Sequence, residues 1–483
     1  MTNLQSFEEK IIKASSLRLY SAGYLTVIYI FGVFNYGAWS DDFPSLSDPY
    51  GHFVHATRDG RPLYGFAIKF FFETFTTVDS LKFVRLFGLV GLILLSDAVL
   101  KYLLSKDSSM KVAVASSVAF SLPSFQFSAH WAVAFGMSWT GFLAVVGLFL
   151  WERDSIKFKI LGSLLFSLSF LIYPLMSFFI FSVIFVSWFL NKTSLTLLLI
   201  RLRNVFLLLA LGFLISFTSS RIILSILGLS YNPRVDLISI ADLPSKTLWF
   251  VSRPFILSFR PFFIDSPSIT IVAVQFAFSF FFLLLLLHFL HLSKVGILKF
   301  FLLLSAFIAL GLLPLIIATQ NQIDVRFLSS NTWLISFIFI CATWKVIENN
   351  LETRTRILPA VSLLSVVVLF FGAYSVNDKY LNVILPIQNS TKIFVLKELA
   401  NCRDSQILAG VVIVDRTAPW PSRKYLGVFS QTTDLASSWV PPGAIASYFS
   451  ELTNTSVPLK SIKWGSPSDS HCVVDLNRYV DSN

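Results

Sequence analysis

Long apolar segments, separated by short clusters of Lys and Arg, constrain this chain more than any other feature of its sequence. The first segment, residues 19–38, contains no charged residue and is long enough to cross a bilayer. With 55% hydrophobic residues, 51 Phe and only 13% charged residues, the chain would not stay soluble in water. Segment length and charge together predict a polytopic α-helical membrane protein with about eleven transmembrane helices before residue 377. The predicted spans are residues 19–38, 82–104, 112–127, 131–151, two within 158–190, 204–227, 268–292, 300–319, 328–344 and 357–374.

The positions of Lys and Arg predict how these segments are oriented. Lys10, Lys13 and Arg18 precede the first span, and most other cations near span ends fall on the same predicted side. Because cytoplasmic loops carry an excess of Lys and Arg, the N-terminus is predicted to be cytoplasmic. Residues 39–81 then form the first outer loop, and residues 228–267 form a long outer insertion. This topology explains the formal net charge of +11 without a nucleic-acid partner.

A minority of cations lie on the predicted outer side, against the orienting trend. Each is either part of a surface salt bridge or a ligand for an anion such as a lipid phosphate. These residues are Arg58, Arg61, Lys69, Arg234, Lys246, Arg253, Arg260 and Arg326.

Two segments depart from a simple span. Residues 62–76 are too short to cross the bilayer and carry Lys69 and Glu73 four residues apart, which predicts an interfacial helix. Residues 158–190 predict two short spans hinged at Tyr173-Pro174, because Pro removes a backbone donor and disfavours helix before it.

The first span lacks the anatomy of a cleaved signal peptide and is expected to remain in the mature protein. Trp131 reads as an interfacial belt residue.

The composition changes after residue 376, which divides the chain into a transmembrane domain (1–376) and a tail (377–483). Apolar runs at 407–414 and 472–476 predict strands, and residues 443–452 predict a helix. We therefore expect a small extracytoplasmic α/β domain. Cys402 and Cys472 predict a disulfide in an oxidising periplasm, with two free thiols as the alternative.

Asp41 and Asp42 follow the first span directly. Two adjacent carboxylates just beyond a membrane span are costly unless they have polar partners or a substrate. A catalytic role is one interpretation, and a solvated turn formed by ordinary turn residues is the other. Phosphate-cradling loops, zinc-ligand spacings and a nucleophile elbow are absent from the sequence, so no cofactor is predicted. Carboxylates and arginines at an outer membrane surface suit a sugar carried on a polyprenyl phosphate. Guanidinium groups can bind its phosphate, and a carboxylate can act as the base for the acceptor hydroxyl.

Two motifs carry a family resemblance. Residues 35–42 read Asn-Tyr-Gly-Ala-Trp-Ser-Asp-Asp, and the outer loop continues through Gly60-Arg61-Pro62-Leu63. With about eleven spans and an extracytoplasmic tail, the chain resembles the serotype-converting O-antigen glucosyltransferases of bacteria (Gtr-type), which have the GT-C architecture. The resemblance covers most of the membrane region, but its sharpest motif is the short Asp-Asp loop with Gly-Arg-Pro.

The resemblance implies transfer of glucose from polyprenyl (undecaprenyl) phosphate glucose to a sugar of lipid-linked O-antigen, at the periplasmic face of the inner membrane. From the residues, an inverting displacement would use Asp42 as the base and Asp41 to orient it or the acceptor. Candidate substrate-binding residues are Arg58, Arg61, Arg326, Trp39 and His55, with His52 in the same loop; for both histidines a surface role is the alternative. Two carboxylates are a thin ligand set, so no metal is predicted.

Two other classes of protein remain open. A flippase or transporter for lipid-linked sugars would also have many spans, but it would need charged residues or paired broken segments within them. An O-antigen polymerase or ligase acts on similar lipids, although it usually carries its large outer loop late in the chain. The expected partners are the two lipid-linked substrates, membrane lipids, and a companion flippase with a polyprenyl-phosphate glucosyltransferase. The hexose, acceptor sugar and linkage are not determined by the sequence.

Overall fold

The computed structural model describes most of the membrane region and part of the tail. The described residues are 2–34, 38, 41–104, 109–191, 193–232, 237–259, 276–277, 279–280, 283–284, 294–319, 321, 325–351, 385–414, 442, 444–448, 462–465 and 471–478. The predicted spans at 268–292 and 357–374 lie largely or wholly outside this set, as does the proposed domain boundary at residue 376.

The described part is predominantly helical. Its first helices are α1 (Thr2–Phe34), α2 (Asp42–Ser47), α3 (Pro49–Arg58), α4 (Pro62–Thr74), α5 (Leu81–Leu104), α6 (Met110–Phe120), α7 (Pro123–His130), α8 (Gly136–Trp151) and α9 (Ile156–Ile172). The next are α10 (Pro174–Ser177), α11 (Phe179–Asn191), α12 (Leu195–Ile226), α13 (Leu243–Phe250), α14 (Ile256–Ser258), α15 (Lys294–Gly311), α16 (Leu313–Ile317), α17 (Ser329–Leu351), α18 (Leu385–Ala400) and α19 (Asp404–Ala409).

Six helical segments in the described residues are long and apolar enough to cross a membrane, or seven if one bent pair counts as a span. The chain is therefore a multi-pass helical membrane protein, while the predicted number of eleven is not confirmed. The six segments are Ala14–Phe34, Leu81–Leu104, Ala132–Trp151, Pro174–Asn191, Leu195–Ile226 and Arg326–Trp344.

Proline accounts for the breaks in the bundle. The sequence predicts one span over residues 112–127, but the structure divides it into α6 and α7, bent by 68° at Ser121–Pro123. The predicted hinge at Tyr173-Pro174 is confirmed, since α9 ends there and α10 begins. Residues 300–319 were expected to form one span, yet they divide between α15 and α16 around Leu312, just before Pro314. In each case the ring of proline fixes the start of the second helix.

Helices α8 and α9 approach each other closely at two glycines. A Cβ built on Gly147 would lie 2.9 Å from the carbonyl oxygen of Gly162, and one built on Gly162 would lie 2.7 Å from that of Gly147. Because small residues let backbones approach, this pair sets the α8–α9 contact. The two helices bring the hinge at residue 173 beside the start of α8.

Polar contacts join several span ends at one face of the bundle. Glu152 accepts two hydrogen bonds from Arg201, at 2.6 and 3.0 Å, and one from the hydroxyl of Tyr102 at 3.1 Å. Arg18, near the start of the candidate span in α1, and Asp97, towards the end of α5, form a bidentate pair with two 2.6 Å hydrogen bonds. These residues all belong to segments for which the charge pattern predicts a common side, so the contacts agree with the predicted alternation of spans.

The opposite face carries the long loops. Residues 39–81, predicted to be the first outer loop, contain α2, α3 and α4. The predicted Lys69–Glu73 pair is present on α4, with the charged atoms 3.8 Å apart. The described part of the insertion contacts this loop, since the backbone N–H of Asn232 donates to the carbonyl of Arg58 at 2.9 Å. It also bridges Leu237 to Ala318, beyond α16.

The described tail contains a three-stranded parallel sheet in the order β2–β1–β3. The strands are β1 (Val411–Val414), β2 (Ile462–Trp464) and β3 (Cys472–Asp475). The predicted strand at 407–414 is wrong in its first residues, which end α19; Gly410, with φ of 132°, turns the chain into β1. A disulfide joins Cys402 to Cys472, the pairing that the sequence predicts. The helical residues 444–448 contact the membrane region where Tyr448 packs edge-on against Phe43.

The two faces yield a topology prediction. Thr76 lies in the first outer loop and Ser155 lies between α8 and α9, and both side chains are exposed. We expect Thr76→Cys to react with a membrane-impermeant maleimide in spheroplasts, and Ser155→Cys to react only after permeabilisation. The wild-type chain is the control, since Cys341 is buried and the other cysteines are paired. Labelling of both variants from the same side would contradict the arrangement.

Candidate functional site

Asp42 ties the predicted first outer loop to the bundle. Its side chain is fully buried, and its two carboxylate oxygens accept the backbone N–H groups of Val133, at 2.8 Å, and Ala132, at 3.4 Å. These residues begin the 3₁₀ turn Ala132–Phe135 that leads into α8. The first N–H groups of a helical segment lack partners within it, so a buried carboxylate at this point satisfies them. Asp42 therefore acts as a structural brace.

Tyr64 holds the same turn from another helix. Its hydroxyl donates a 2.6 Å hydrogen bond to the carbonyl oxygen of Val133, the residue whose N–H reaches Asp42. Its ring lies so close to Gly136 that a Cβ there would approach it to 3.0 Å. Burial raises the pKa of the Tyr64 hydroxyl, so the group stays a neutral donor. Helices α2 and α4 thus both hold the start of α8.

Asp41 precedes α2 and is only half-buried. Its backbone carbonyl accepts the N–H of Ser45 at 3.2 Å and the Ser45 hydroxyl at 2.6 Å. That hydroxyl also hydrogen-bonds the Nδ1 atom of His52 at 2.6 Å. The negative charge of Asp41 acts electrostatically on both His52 and Tyr64. The two neighbouring acids therefore have different surroundings. The carboxylate of Asp42 is buried against backbone N–H groups, whereas Asp41 acts on the ionisable side chains of His52 and Tyr64.

Burial lowers the pKa of His52 to about 4, from its ordinary value of 6.5. The positive charges of Arg61 and of any protonated His55 lower it further, while Asp41 and Asp48 act in the opposite direction. The ring is consequently neutral at physiological pH. Because the Ser45 hydroxyl donates its hydrogen to the carbonyl oxygen of Asp41, the Nδ1–H of His52 donates the hydrogen bond to Ser45.

Arg61 is oriented by an acid that sequence reasoning did not single out. Asp59, itself buried, accepts a 2.6 Å hydrogen bond from Nη2 of Arg61 and a 3.1 Å hydrogen bond from Nδ2 of Asn232. Its carboxylate also lies 3.7 Å from Nε2 of His55. The guanidinium of Arg61 is 5.5 Å from the ring centre of Tyr64 and 5.7 Å from that of Tyr173.

Arg326 lies across the site from a different part of the chain. It belongs to the 3₁₀ segment Val325–Leu328, and its guanidinium carbon is 4.5 Å from the ring centre of Trp131. A cation over an indole face is stabilised by the ring quadrupole. Trp131 directly precedes the turn that Asp42 braces. The positive charges of both Arg61 and Arg326 lower the pKa of Tyr64, against the effect of its burial.

The structure separates the predicted site residues into two groups. Asp41, Arg61 and Arg326 all act electrostatically on Tyr64, whereas Arg58 donates to the carbonyl oxygen of Ser230 at 3.1 Å. The remaining predicted residues lie elsewhere: His55 is exposed and contacts Asp59, and Trp39 lies outside the described residues. Asp324, the alternative partner for Arg326, also lies outside them.

Sequence reasoning missed several residues of the site. Tyr64 follows Gly60-Arg61-Pro62-Leu63 directly, and its position beside the motif was an available signal. Trp131 was expected in the interfacial belt, but it is buried under Arg326. Tyr173 was recognised only as part of a hinge. Among the described residues, no group of three or more His, Cys, Asp or Glu side chains is arranged to hold a metal ion.

Comparison with known proteins adds no family to this description. The chain matches no family model, no curated protein and no solved structure. The fold and the site therefore define a class only, a multi-pass helical membrane protein with an ionisable cluster at one end of its bundle.

The brace by Asp42 predicts a stability difference between the two acids. Asp42→Asn leaves one oxygen and turns an NH₂ group towards a backbone donor, so we expect a loss of about 1–3 kcal/mol. Asp41→Asn, with a half-buried side chain, should cost less. The measurement is the apparent melting temperature of both variants in detergent. Equal melting temperatures for Asp42→Asn and the wild type would contradict the structural role of Asp42.

The low pKa of His52 predicts a pH dependence of stability. Below pH 6.5 the unfolded chain protonates this ring while the folded chain does not until about pH 4, so stability falls as the pH falls through that window. The slope contributed by one ring is at most about 1.4 kcal/mol per pH unit. We expect His52→Gln to melt with a weaker pH dependence between pH 7 and 5. His471→Gln, in the tail, is the control, and an unchanged slope in His52→Gln would refute the assignment.

Proposed function

We propose that this protein is a GT-C-like glycosyltransferase of about eleven spans, which transfers glucose from polyprenyl phosphate glucose to a sugar of lipid-linked O-antigen. The observation that carries the proposal is the placement of one half-buried acid, Asp41, and two arginines, Arg61 and Arg326, near Tyr64. The guanidinium of Arg61 lies 5.5 Å from the ring centre of Tyr64, Arg326 lies over Trp131 beside the turn that Tyr64 holds, and the charge of Asp41 acts on Tyr64. An acceptor hydroxyl needs a base, and a leaving phosphate needs cationic donors. The cluster supplies both at one end of the bundle.

Asp41 is the better base of the two acids. The carboxylate of Asp42 is fully buried and accepts backbone N–H groups at both oxygens, so it has little capacity for a substrate proton. Asp41 is partly accessible and adjoins neutral His52. In the proposed step, Asp41 takes the proton of the acceptor hydroxyl as the hydroxyl oxygen attacks the anomeric carbon. The bond from that carbon to the phosphate oxygen breaks, and the polyprenyl phosphate leaves with the electron pair. The configuration at the anomeric carbon is inverted.

Arg61 and Arg326 would bind the phosphate as its charge grows. Arg326 stacks on Trp131, and Arg61 is held by Asp59 beside Tyr64 and Tyr173, so both guanidinium planes have restricted orientations. Donors that are already oriented before the reaction need little rearrangement when charge develops. The same restriction would favour a planar, bidentate contact with phosphate oxygens.

The periplasmic orientation of the site and tail is part of the proposal. The disulfide between Cys402 and Cys472 supports it, because disulfides persist in oxidising compartments. The contact between Tyr448 and Phe43 also supports it, since Phe43 follows the two acids and the tail must then share their side of the membrane. A periplasmic site excludes ATP and nucleotide sugars as donors, which leaves a lipid-linked sugar.

A lipid-linked glycan transporter is the second candidate function. It is favoured by the break between α6 and α7 and by Arg85, a fully buried cation in α5 whose Nε donates to the carbonyl of Val33 at 3.1 Å. Broken spans and buried charge are typical of transport pathways. A transporter would move the labelled lipid between the faces of a vesicle without forming a glycosidic bond, so identification of the product separates the two functions.

The transferase proposal predicts loss of activity in Asp41→Asn. With radiolabelled polyprenyl phosphate glucose and extracted lipid-linked O-antigen, we expect transfer to fall by at least about 10²-fold because the base is lost. Arg326→Gln should cost on the order of 10²-fold through lost phosphate stabilisation.

The matched control is Asp79→Asn. Asp79 is an exposed acid of the same outer loop that pairs with Lys82 at 2.7 Å, and its variant should keep wild-type transfer. Immunoblots of the membranes correct each rate for protein level. Normal transfer by Asp41→Asn at normal abundance would remove the proposed base.

A further inference from the structure

Two outer arginines lie apart from the cluster around Tyr64. Arg58 ends α3, and Arg221 lies near the outer end of α12. Within the part of the chain that the structure describes, neither has an acidic side chain within ion-pair distance, and their contacts are with a carbonyl oxygen and aromatic rings. No salt bridge with a described residue therefore explains why these cations occur on the side of the membrane that Lys and Arg usually avoid.

The chain after α12 contacts both arginines. Gly228 adopts φ of 64°, which glycine accepts at little cost. The N–H of Leu229 then donates to the carbonyl of Leu224 at 2.9 Å, and that of Gly228 donates to Ser225 at 3.2 Å, the two bonds of a Schellman motif. This motif reverses the chain, so that the next residues return against the end of α12.

The reversed chain holds both guanidinium groups through two adjacent residues. The carbonyl oxygen of Ser230 accepts Nε of Arg58 at 3.1 Å. The ring of Tyr231 stacks on Phe217, with an interplanar angle of 7°, and lies 4.7 Å from the guanidinium carbon of Arg221. The only hydrogen bond that the side chain of Arg58 donates to a described residue uses Nε, so neither Nη group is taken up by a hydrogen bond within the described part of the chain.

From these contacts we propose that Arg58 and Arg221, with Tyr231, form a phosphate-binding site at the outer rim of the bundle, separate from the cluster of Arg61 and Arg326. Both guanidinium groups contact only neutral groups among the described residues, so their positive charges are available to bind an anion. Arg221 is exposed on the least buried of the candidate spans, which suits the headgroup of a lipid phosphate. The anion is a phosphate monoester or diester carried by a lipid, or free phosphate, and the two sources are separated below.

A role in catalysis follows from the proposed function and rests on it. Glycosyl transfer between two lipid-linked substrates needs two phosphate sites, one for the donor and one for the acceptor lipid. Asp59 joins them physically, since it hydrogen-bonds Arg61 of the first cluster and Asn232, next to Tyr231. The Arg58–Arg221 site would then hold the phosphates of the acceptor lipid. The binding site itself does not depend on this role.

The test measures binding without turnover. Full-length protein carrying Arg326→Gln, which weakens the first cluster, is purified in a neutral detergent and titrated calorimetrically with farnesyl phosphate. We expect binding to remain, and Arg58→Gln with Arg221→Gln in the same background to weaken it at least about tenfold. The control, Lys82→Gln, removes an outer cation that pairs with Asp79 and should change nothing. Replacing both arginines by Lys keeps the charge and should restore part of the affinity.

Each outcome decides one point. Unchanged affinity in the double Gln variant, with a melting temperature equal to that of its background, overturns the site, and so does equal binding of farnesol, which has no phosphate. If inorganic phosphate displaces farnesyl phosphate, the site binds the phosphate group alone. If it does not, the site binds a phosphate carried by a lipid. Loss of transfer in Asp41→Asn is a separate result, so the proposed function and this site can fail independently.

Discussion

The hydrogen bonds from the backbone of Ala132 and Val133 to the carboxylate of Asp42 are the constraint on which the site depends. They fix the start of α8 against the first outer loop, and the hydroxyl of Tyr64 completes the clamp on the same turn. A charged group without water or partners is costly in a bundle of this composition, so the brace persists only because both oxygens are satisfied. Its position also determines where the neighbouring Asp41 lies.

The breaks at Pro123 and Pro174 are the second requirement of the architecture. A straight helix through residues 112–127 would carry Trp131 away from the loop, whereas the 68° bend returns the chain across the end of the bundle. The break after Tyr173 likewise brings its ring towards Arg61. Irregular backbone at membrane depth is tolerated only where protein or a polar cavity satisfies it. The break after Tyr173 therefore lies beside the ionisable cluster.

The tail is connected to this arrangement through Tyr448 and Phe43, both buried at their contact. The disulfide ties the turn after α18 to the start of β3. Phe43 lies in the short helix that begins at Asp42, so the tail packs against the same segment that braces the turn. The membrane region and the tail thus share one packed surface beside the proposed catalytic residues, although they differ in composition.

The sequence by itself determined the class, because long apolar segments with clustered cations have no stable arrangement except repeated membrane spans. It also identified the hinge at Tyr173-Pro174, the Cys402–Cys472 pairing and the acidic loop, each from a local chemical signal. Local pattern could not decide which of two adjacent acids is buried, since backbone direction at Asp41 and Asp42 depends on what α8 presents to them. Only the tertiary structure brought Arg61 and Arg326, 265 residues apart, to the same tyrosine. Long-range contacts of this kind have no signature in residue type or spacing.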